Sequence, residues 1–463
     1  MKVKVRIAPS PTGNLHVGTA QSALYNWLFA RKNGGEFCLR IEDTDKERST
    51  KEYEQNIFDA LDWLGLKWDG KIIRQSERMD KYKTALEKLL ADGKAFYCHH
   101  TKEELESERK LQEEKKEAPI HICLHKNETR GKQSGGIIRL AVGNEAISFN
   151  DEIRGKIKFE SSLLGDFSIA KSLDEPLYNL AVVVDDIDME ITNVIRGEDH
   201  ISNTPKQILI YKALDRMLPQ FAHLPLILAS DRSKLSKRHG AISVVDFKKD
   251  YLPEALLNFL GSMSYTFSKE ILTKEEMTEK FELGKVHKSG AVFDINKLNW
   301  FNSQYIKSLS ASKLVRLPAF KNVPDKVLPL ITERLEKLSD VQNFEYFWKE
   351  PEYDKSLLAW KKSTLEKSVE TLVEVKTLLE EFDFEKGKDE LRKLLDDFSE
   401  KIGDPSTGSG QGRGLVYWPL RVALTGKEKS PDPVDVAVIL GKEKTLERIR
   451  KAVEEQDFKL KKQ

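Results

Sequence analysis

From Val3 to Ile41 the chain reads as a strand, a loop, a helix and a second strand, and few folds admit that order. Val3-Lys4-Val5-Arg6-Ile7-Ala8 alternates polar and apolar residues as a strand does. A loop with two prolines follows over residues 9–14. Ala20, Ala23, Leu24, Trp27 and Leu28 then share one helical face, and Gly34-Gly35 supplies a stop. Phe37-Cys38-Leu39-Arg40-Ile41 resumes as a strand. A βαβ beginning implies a parallel sheet.

Later segments add to that sheet. Leu180-Ala181-Val182-Val183-Val184, closed by Asp185-Asp186, is continuously apolar and reads as a central parallel strand. Two more strands are expected at residues 191–195 and near 224–228, with a helix over 204–214 between them. Residues 75–90 and 102–116 read as helical, and short β-like runs lie within 137–159. The sheet is therefore expected to be split by an insertion over roughly residues 90–180. Beyond about residue 245, charged, Leu-rich segments of helical period dominate, as in 330–338 and 363–382. The last ~150 residues read as an all-helical domain.

Composition limits the function classes. A chain of 463 residues has room for several domains. Its 76 basic and 75 acidic residues leave a net charge of +1, so the sum gives no hint of nucleic acid or of an anionic membrane. No apolar run approaches the ~20 residues that span a bilayer. The first residues lack the apolar core of a signal peptide. Three cysteines cannot build a disulfide framework, and a reducing, cytoplasmic compartment is the expectation.

Two short motifs point to nucleotide chemistry. His16-Val17-Gly18-Thr19 opens the first helix, where free N–H groups and a partial positive charge suit a polyphosphate. Gly18 lets a base or ribose lie against the backbone, and His16 can donate to a phosphate oxygen. Alone, the tetrapeptide is equally a helix start with an incidental histidine. Arg232-Ser233-Lys234-Leu235-Ser236-Lys237-Arg238 carries four basic residues and no acid, a run that by itself is ordinarily solvated surface. Together and in this order, the two resemble the HIGH and KMSKS elements of class I aminoacyl-tRNA synthetases.

The resemblance narrows to the glutamyl-tRNA synthetase family. It is carried by Arg6-Ile7-Ala8-Pro9-Ser10-Pro11-Thr12-Gly13, Leu39-Arg40-Ile41-Glu42-Asp43-Thr44-Asp45 and Val194-Ile195-Arg196-Gly197-Glu198-Asp199-His200. Tyr178-Asn179-Leu180, Tyr251-Leu252-Pro253-Glu254 and Pro419-Leu420-Arg421-Val422 extend it over nearly the whole chain. The resemblance implies an α/β fold. A Rossmann-like class I catalytic domain (residues 1–90 and 181–240) would be interrupted by an α+β acceptor-stem-binding insertion (91–180). A stem-contact domain (241–310) and an all-α C-terminal anticodon-binding domain (311–463) would follow.

Ligation of L-glutamate to tRNA-Glu through a glutamyl-adenylate is implied, with transfer to the 2′-hydroxyl of the terminal adenosine, and with activation itself needing bound tRNA. ATP with Mg²⁺ would be held by His16, Gly18, Thr19, Asp199, His200, Lys234, Leu235, Ser236, Lys237 and Arg238. His16, Lys234 and Lys237 would act on the phosphates during an in-line displacement that needs positioning and charge neutralisation. Asp199 and His200 also fit a plain helix N-terminus with an acidic first turn.

An acidic amino acid needs a cationic seat for its side chain and an anionic one for its ammonium. Arg6 and Arg196, near strand ends, can bind carboxylates bidentately. Glu42 can take the ammonium, and Ser10 and Tyr178 can supply hydroxyls. Open α/β sheets keep their ligands at strand ends, and by resemblance these five positions form the glutamate pocket.

Two of the three cysteines and four of the nine histidines fall within residues 98–125. Cys98-His99-His100 and Cys123-Leu124-His125, with His121 nearby, offer the soft donors that tetrahedral Zn²⁺ takes. Some family members carry zinc in this insertion, with Cys-x-Cys in the first pair; here His100 replaces the second cysteine. The implied set is Cys98, His100, Cys123 and His125, and the alternative is a cluster without metal.

Ser406-Thr407-Gly408-Ser409-Gly410-Gln411-Gly412-Arg413-Gly414 looks like a phosphate loop, but no buried strand precedes it and the glycine spacing fails. It is expected to be a flexible loop of the helical domain.

Three rivals share some of these features. A glutaminyl enzyme would carry C-terminal β-barrels, a queuosine-glutamylating enzyme would lack the last domain, and a non-catalytic RNA-binding paralogue would not need the ATP residues. Charging of tRNA-Gln as well is the alternative within the family, and a monomer with no membrane partner is expected. Basic residues gather locally despite the even balance: the final 43 residues hold eleven bases against eight acids. Such patches confer salt-sensitive RNA binding.

Overall fold

In the computed structural model the strand Lys4–Ile7 lies parallel to Glu36–Ile41, and Glu36–Ile41 lies parallel to the short strand Ile73–Arg74. Thr192 N donates to Lys4 O at 2.9 Å, and Lys4 N to Thr192 Oγ1 at 2.8 Å. These bonds tie the first strand to the segment that becomes the strand Asn193–Gly197. Asn193–Gly197 runs parallel to Gln220–Leu224, with Arg196 opposite His223. The expected parallel sheet is therefore present. The structure describes residues 2–117, 120–121, 123–127, 135–144, 146–236, 238, 243–403 and 410–460.

The first helix, Val17–Lys32, starts where expected and buries Ala20, Ala23, Leu24 and Leu28. Its opposite side is covered as well, because Gln21 Nε2 and Tyr25 Oη donate to the carbonyls of Leu260 and Gly261 in the helix Pro253–Met263.

One element differs from the sequence reading. The run 180–184 is not a strand but the middle of the helix Tyr178–Asp188. Every residue from Leu180 to Asp186 is buried, so the helix has no polar face in that stretch to reveal a 3.6-residue period. A helix enclosed on all sides and a central strand write the same apolar run.

The segment 91–180 forms two things. Ala95–Cys98, Ile137–Leu140, Ser168–Ser172 and Glu175–Pro176 make an antiparallel sheet in that order. The hairpin of Ala146–Asp151 and Gly155–Glu160 instead joins the catalytic sheet, pairing in parallel with Gln220–Leu224 at Asp151 and Phe221. The helix Lys102–Glu114 opens with a capping box from Thr101 and Glu104.

The chain divides into two compact units, Met1–Phe301 and Asn302–Gln463. The second is helical among its described residues, with Leu365–Glu381, Gly387–Ile402, Gly410–Thr425, Pro433–Leu440 and Lys442–Leu460 as its main helices. The run 330–338 is not one continuous helix: Leu328–Thr332 ends within it, and 3₁₀ turns begin at its last residue, over Leu338–Phe347.

The phosphate-loop look-alike has a packing explanation. Residues 404–409 lie outside the described residues, but Gly410–Thr425 is helix rather than loop. A Cβ on Gly412 would come within 1.9 Å of Ser399 O, and one on Gly414 within 2.3 Å of the Trp360 ring. Those glycines let backbone and indole approach closely.

Among the described residues, no helix is long and apolar enough to cross a membrane.

Candidate active site

The ends of the catalytic strands carry charge into the interior. Arg6, in the first strand, donates through Nε and Nη2 to the two oxygens of Asp186, at 3.1 and 3.3 Å. Arg40, in the next strand and fully buried, donates to Asp186 at 2.6 Å and to Glu42 at 3.1 Å. Asp185, the neighbouring carboxylate on the helix Tyr178–Asp188, receives Gln75 Nε2 at 2.8 Å and Arg78 Nε at 2.6 Å, and Tyr82 Oη donates to it. Buried charges survive only when paired in this way. Against the cost of burial, Arg6 and Arg40 hold the Asp186 carboxyl below its usual range. Burial raises Glu42 above the ordinary carboxylate value even though Arg40 and Arg6 pull the other way.

Arg196 is different. It is buried in the strand Asn193–Gly197, and its Nε and Nη2 face His223 Nε2 (3.3 Å) and Thr204 Oγ1 (2.9 Å), both neutral partners. Nη1 has no hydrogen-bond partner among the described residues. Burial, with Arg6 nearby, lowers its pKa. A guanidinium in this state is a seat for an anion the protein does not itself supply.

A cavity of about 610 Å³ gathers these groups. All five expected glutamate residues line it: Arg6, Ser10, Glu42, Tyr178 and Arg196. So do His16, Gly18, Thr19, Asp199, His200, Lys234, Leu235 and Ser236 from the expected nucleotide set. Arg238 is not among the lining residues, and its Nη2 donates to Ser233 Oγ at 3.4 Å. Lys237 lies outside the described residues.

Local geometry sets the protonation of several groups. His16 caps the first helix, its Nδ1 accepting from Gly18 N at 3.0 Å. The proton of a neutral ring is then on Nε2, the donor required toward a phosphate oxygen. Lys234 Nζ donates to Asp199 Oδ2 at 2.8 Å and, against burial, helps hold that carboxyl low. Burial and the Arg196 charge push His200 down to about 4, so its ring is neutral at pH 7 and Nδ1 can share the Tyr178 hydroxyl proton at 3.1 Å.

The comparisons with known proteins agree with this arrangement. Residues 2–300 match the catalytic domain of the class I tRNA synthetases (E and Q), and residues 295–453 match an anticodon binding domain. A glutamate–tRNA ligase from Carboxydothermus hydrogenoformans is 42% identical, over 96% of this chain and 99% of the relative. The chain belongs to the glutamate–tRNA ligase family. Glutamate–tRNA ligase 2 of Thermoanaerobacter pseudethanolicus is 41% identical, over 98% of each chain. A crystal structure of a glutamate tRNA ligase from Elizabethkingia meningosepticum, in complex with its amino acid, superposes with a TM-score of 0.84. It is 32% identical and covers 98% of this chain and 99% of that one. Class I synthetases of this family use ATP with Mg²⁺ and join glutamate to tRNA.

A second cluster lies beside the antiparallel sheet of the first unit, next to the end of the strand Ala95–Cys98. Cys98, His100, His121 and Cys123 place their donor atoms within 4.8 Å of one another. Cys98 Sγ is 3.4 Å from His100 Nδ1 and 3.6 Å from His121 Nε2, and Cys123 Sγ is 3.7 Å from His100 Nδ1. Zinc bonds of about 2.3 Å to sulfur and 2.0–2.1 Å to nitrogen give tetrahedral S···N edges of about 3.5 Å, so the donor set fits the metal. His121 Nδ1 meets Glu108 at 2.5 Å, the carboxylate backing that orients a ligating imidazole.

The fourth residue thus differs from the one the resemblance implied. His125 Nδ1 receives the His99 amide at 3.3 Å and sits 3.6 Å from Cys123 Sγ, outside the gathered set. Burial pushes the Cys123 thiol up to about 11, which only a bound cation would reverse at neutral pH.

Sequence reasoning missed Arg40, Asp185 and Asp186 as the frame of the site, and Asp151 and His223 as the support of Arg196. A signal existed for four of the five: Arg40 and His223 lie inside otherwise apolar buried runs and Asp185-Asp186 close one, whereas Asp151 ends a strand that alternates buried and exposed residues.

Proposed function

We propose that this chain activates L-glutamate with ATP in the cavity of Arg6, Glu42 and Arg196, then passes the glutamyl group to the 2′-hydroxyl of the terminal adenosine of tRNA-Glu. One observation carries the reading. Arg196, a buried cation whose Nη1 has no partner among the described residues, shares a cavity with Glu42, a buried carboxyl held above its usual range. Glutamate carries the complementary pair: a side-chain carboxylate for Arg196 and an ammonium for Glu42.

The remaining lining groups have parts in the same reaction. Ser10 and Tyr178 offer hydroxyls to the amino acid, and Arg6 adds positive potential. The α-carboxylate attacks the α-phosphate, forming an O–P bond as the bond to the β-phosphate breaks and pyrophosphate leaves. His16, through Nε2, and Lys234, swung off Asp199, neutralise the oxygens on which charge grows. Lys237 belongs to the same group by resemblance. Mg²⁺, when bound with ATP, spreads the triphosphate charge.

ATP–pyrophosphate exchange with glutamate, ATP and tRNA-Glu is the direct test. Exchange that depends on glutamate supports the reading, and no exchange with any amino acid ends it. Charging tRNA-Glu and tRNA-Gln in parallel measures whether the second tRNA is also a substrate. Lys234→Ala is expected to slow exchange by about 10²–10³-fold with the glutamate KM unchanged; a loss confined to KM would reassign the lysine.

Glu42 makes glutamate binding depend on pH. Its folded pKa is raised, so the carboxyl adds stability below its unfolded value and loses it as pH rises through the folded one. A bound ammonium reverses that loss. The thermal shift produced by glutamate should therefore grow from pH 5 to pH 7 in a calorimetric series, and a shift that shrinks over that range would count against Glu42.

Zinc is proposed at Cys98, His100, His121 and Cys123. Elemental analysis should find about one zinc per chain, and His121→Ala should weaken retention against a chelator by about 10–100-fold. Well under one zinc per chain removes the proposal.

A further inference from the structure

The seat of Arg196 is itself held by a buried chain of three groups. Asp151 Oδ2 is 2.6 Å from His223 Nδ1, and His223 Nε2 lies 3.3 Å from Arg196 Nε and 2.9 Å from Thr204 Oγ1. Thr204 Oγ1 accepts from Arg196 Nη2 at 2.9 Å. Both Asp151 and His223 are almost wholly buried.

The proton bookkeeping of this chain has one solution. A guanidinium only donates, so His223 Nε2 must be an acceptor when it faces Arg196 Nε. The ring proton is then on Nδ1, where Asp151 receives it. Asp151 remains a carboxylate because its Oδ1 accepts from the amides of Ile153 (3.0 Å), Arg154 (2.8 Å) and His223 (3.3 Å). Arg196 is thereby gripped through Nε and Nη2, and Nη1 is the nitrogen left for substrate.

Backbone register makes the arrangement rigid. Arg196 and His223 are opposite each other on paired strands, and Asp151, at the end of Ala146–Asp151, is opposite Phe221 on the next. The hairpin that brings Asp151 belongs to the segment between the two halves of the catalytic fold, so a residue outside those halves helps shape the amino-acid site.

We propose that Asp151 and His223 are positioning residues for glutamate selection, locking His223 in its Nδ1–H tautomer so that Arg196 presents Nη1 to the substrate's side-chain carboxylate. This rests on the reading of Arg196 given above. A carboxylate repays the charge left on Nη1, whereas the neutral amide of glutamine does not. The sharper the placement of Arg196, the larger that difference.

Two measurements test it. In His223→Phe, which keeps the ring but has no acceptor, the glutamate KM should rise about tenfold or more while the ATP KM stays within about twofold. Preference for glutamate over glutamine in exchange should fall in parallel. His223→Gln, whose amide oxygen can stand where Nε2 stood, should recover most of the loss. Equal rises in both KM values, or no change in either, would overturn the proposal.

The second measurement needs no variant and so survives a folding failure. A ¹⁵N–¹H correlation spectrum of the histidine rings in the unliganded protein should show His223 neutral with its proton on Nδ1. A proton on Nε2, or on both nitrogens, overturns the lock. Arg196→Leu tests the seat separately: an unchanged glutamate KM there, with the Nδ1–H tautomer intact, would fail the substrate reading and leave the lock standing.

Discussion

Arg196→Leu is expected to do two things of opposite sign: abolish useful glutamate binding and leave the unliganded protein at least as stable as before. Removing one partner of a buried charge pair costs about 2–5 kcal/mol, so the glutamate KM should rise some thirty- to several-thousandfold. The ATP KM should not follow, because the phosphate groups of the cavity are untouched. Stability moves the other way because, among the described residues, Arg196 hydrogen-bonds no carboxylate. Burial penalises its charge, and Tyr178, Asp186 and Glu42 offset that only in part. Leucine removes that penalty, and His223 Nε2 still has the Thr204 hydroxyl at 2.9 Å. Calorimetry without ligand and glutamate-dependent exchange are the readouts. A marked fall in melting temperature with an unchanged KM would make Arg196 a structural residue.

Asp186→Asn should show the reverse pattern, losing fold before chemistry. Asp186 takes Arg6 on both its oxygens and Arg40 at 2.6 Å, with all three side chains almost wholly buried. The amide leaves two guanidiniums short of a counter-charge, and breaking a buried pair this way costs about 3–5 kcal/mol. Urea unfolding at pH 7 measures it, and a loss below about 1 kcal/mol would show the pair to be dispensable.

The pH dependence gives a second check on Asp186. Its folded pKa is depressed, so its contribution is complete above the unfolded value of about 3.9 and disappears as pH falls through the lower folded one. The variant has already lost at neutral pH what the natural chain loses only in acid. The two stability curves should therefore converge as the pH is lowered.

What could be read from residues alone was the periphery of these devices. The alternation of residues 3–8, the periodic face of Val17–Lys32 and the glycine stop agree with the structure because each is a local signal: the strand is Lys4–Ile7, the apolar residues at helical spacing are buried, and Gly34 takes a positive φ of 58° just past the helix end. Arg6, Glu42 and Arg196 were legible since strand ends are where a parallel sheet keeps its ligands, and the structure gathers them around one cavity.

The helix Tyr178–Asp188 was misread because complete enclosure erases the period that separates helix from strand. Asp185 and Asp186 then looked like the end of a strand, although two adjacent carboxylates closing an apolar run require buried cations. Their partners Arg6 and Arg40 lie far away in sequence, where no local rule connects them. The resemblance implies His125 rather than the nearby His121 because the family pattern pairs Cys123 with the histidine two residues on, and only the fold shows which imidazole is backed by Glu108. The glycines near residue 412 imitated a phosphate loop because close approach to a neighbour demands glycine whether the neighbour is a phosphate or another helix.

The distance in sequence between the sheet's partners also governs the order in which a nascent chain can finish folding. Arg6 waits 180 residues for Asp186, Arg40 waits 146, and Lys4 waits 188 for Thr192. At about 5–20 residues per second of synthesis, the opening strand spends roughly 10–40 s beyond the ribosome before its counter-ion exists. During that time the guanidiniums of Arg6 and of Arg40 in the second strand cannot be taken out of water without a large penalty. The first ninety residues are thus a half-made object, hydrated and waiting, and a truncated chain ending there should not hold the shape it has in the finished enzyme.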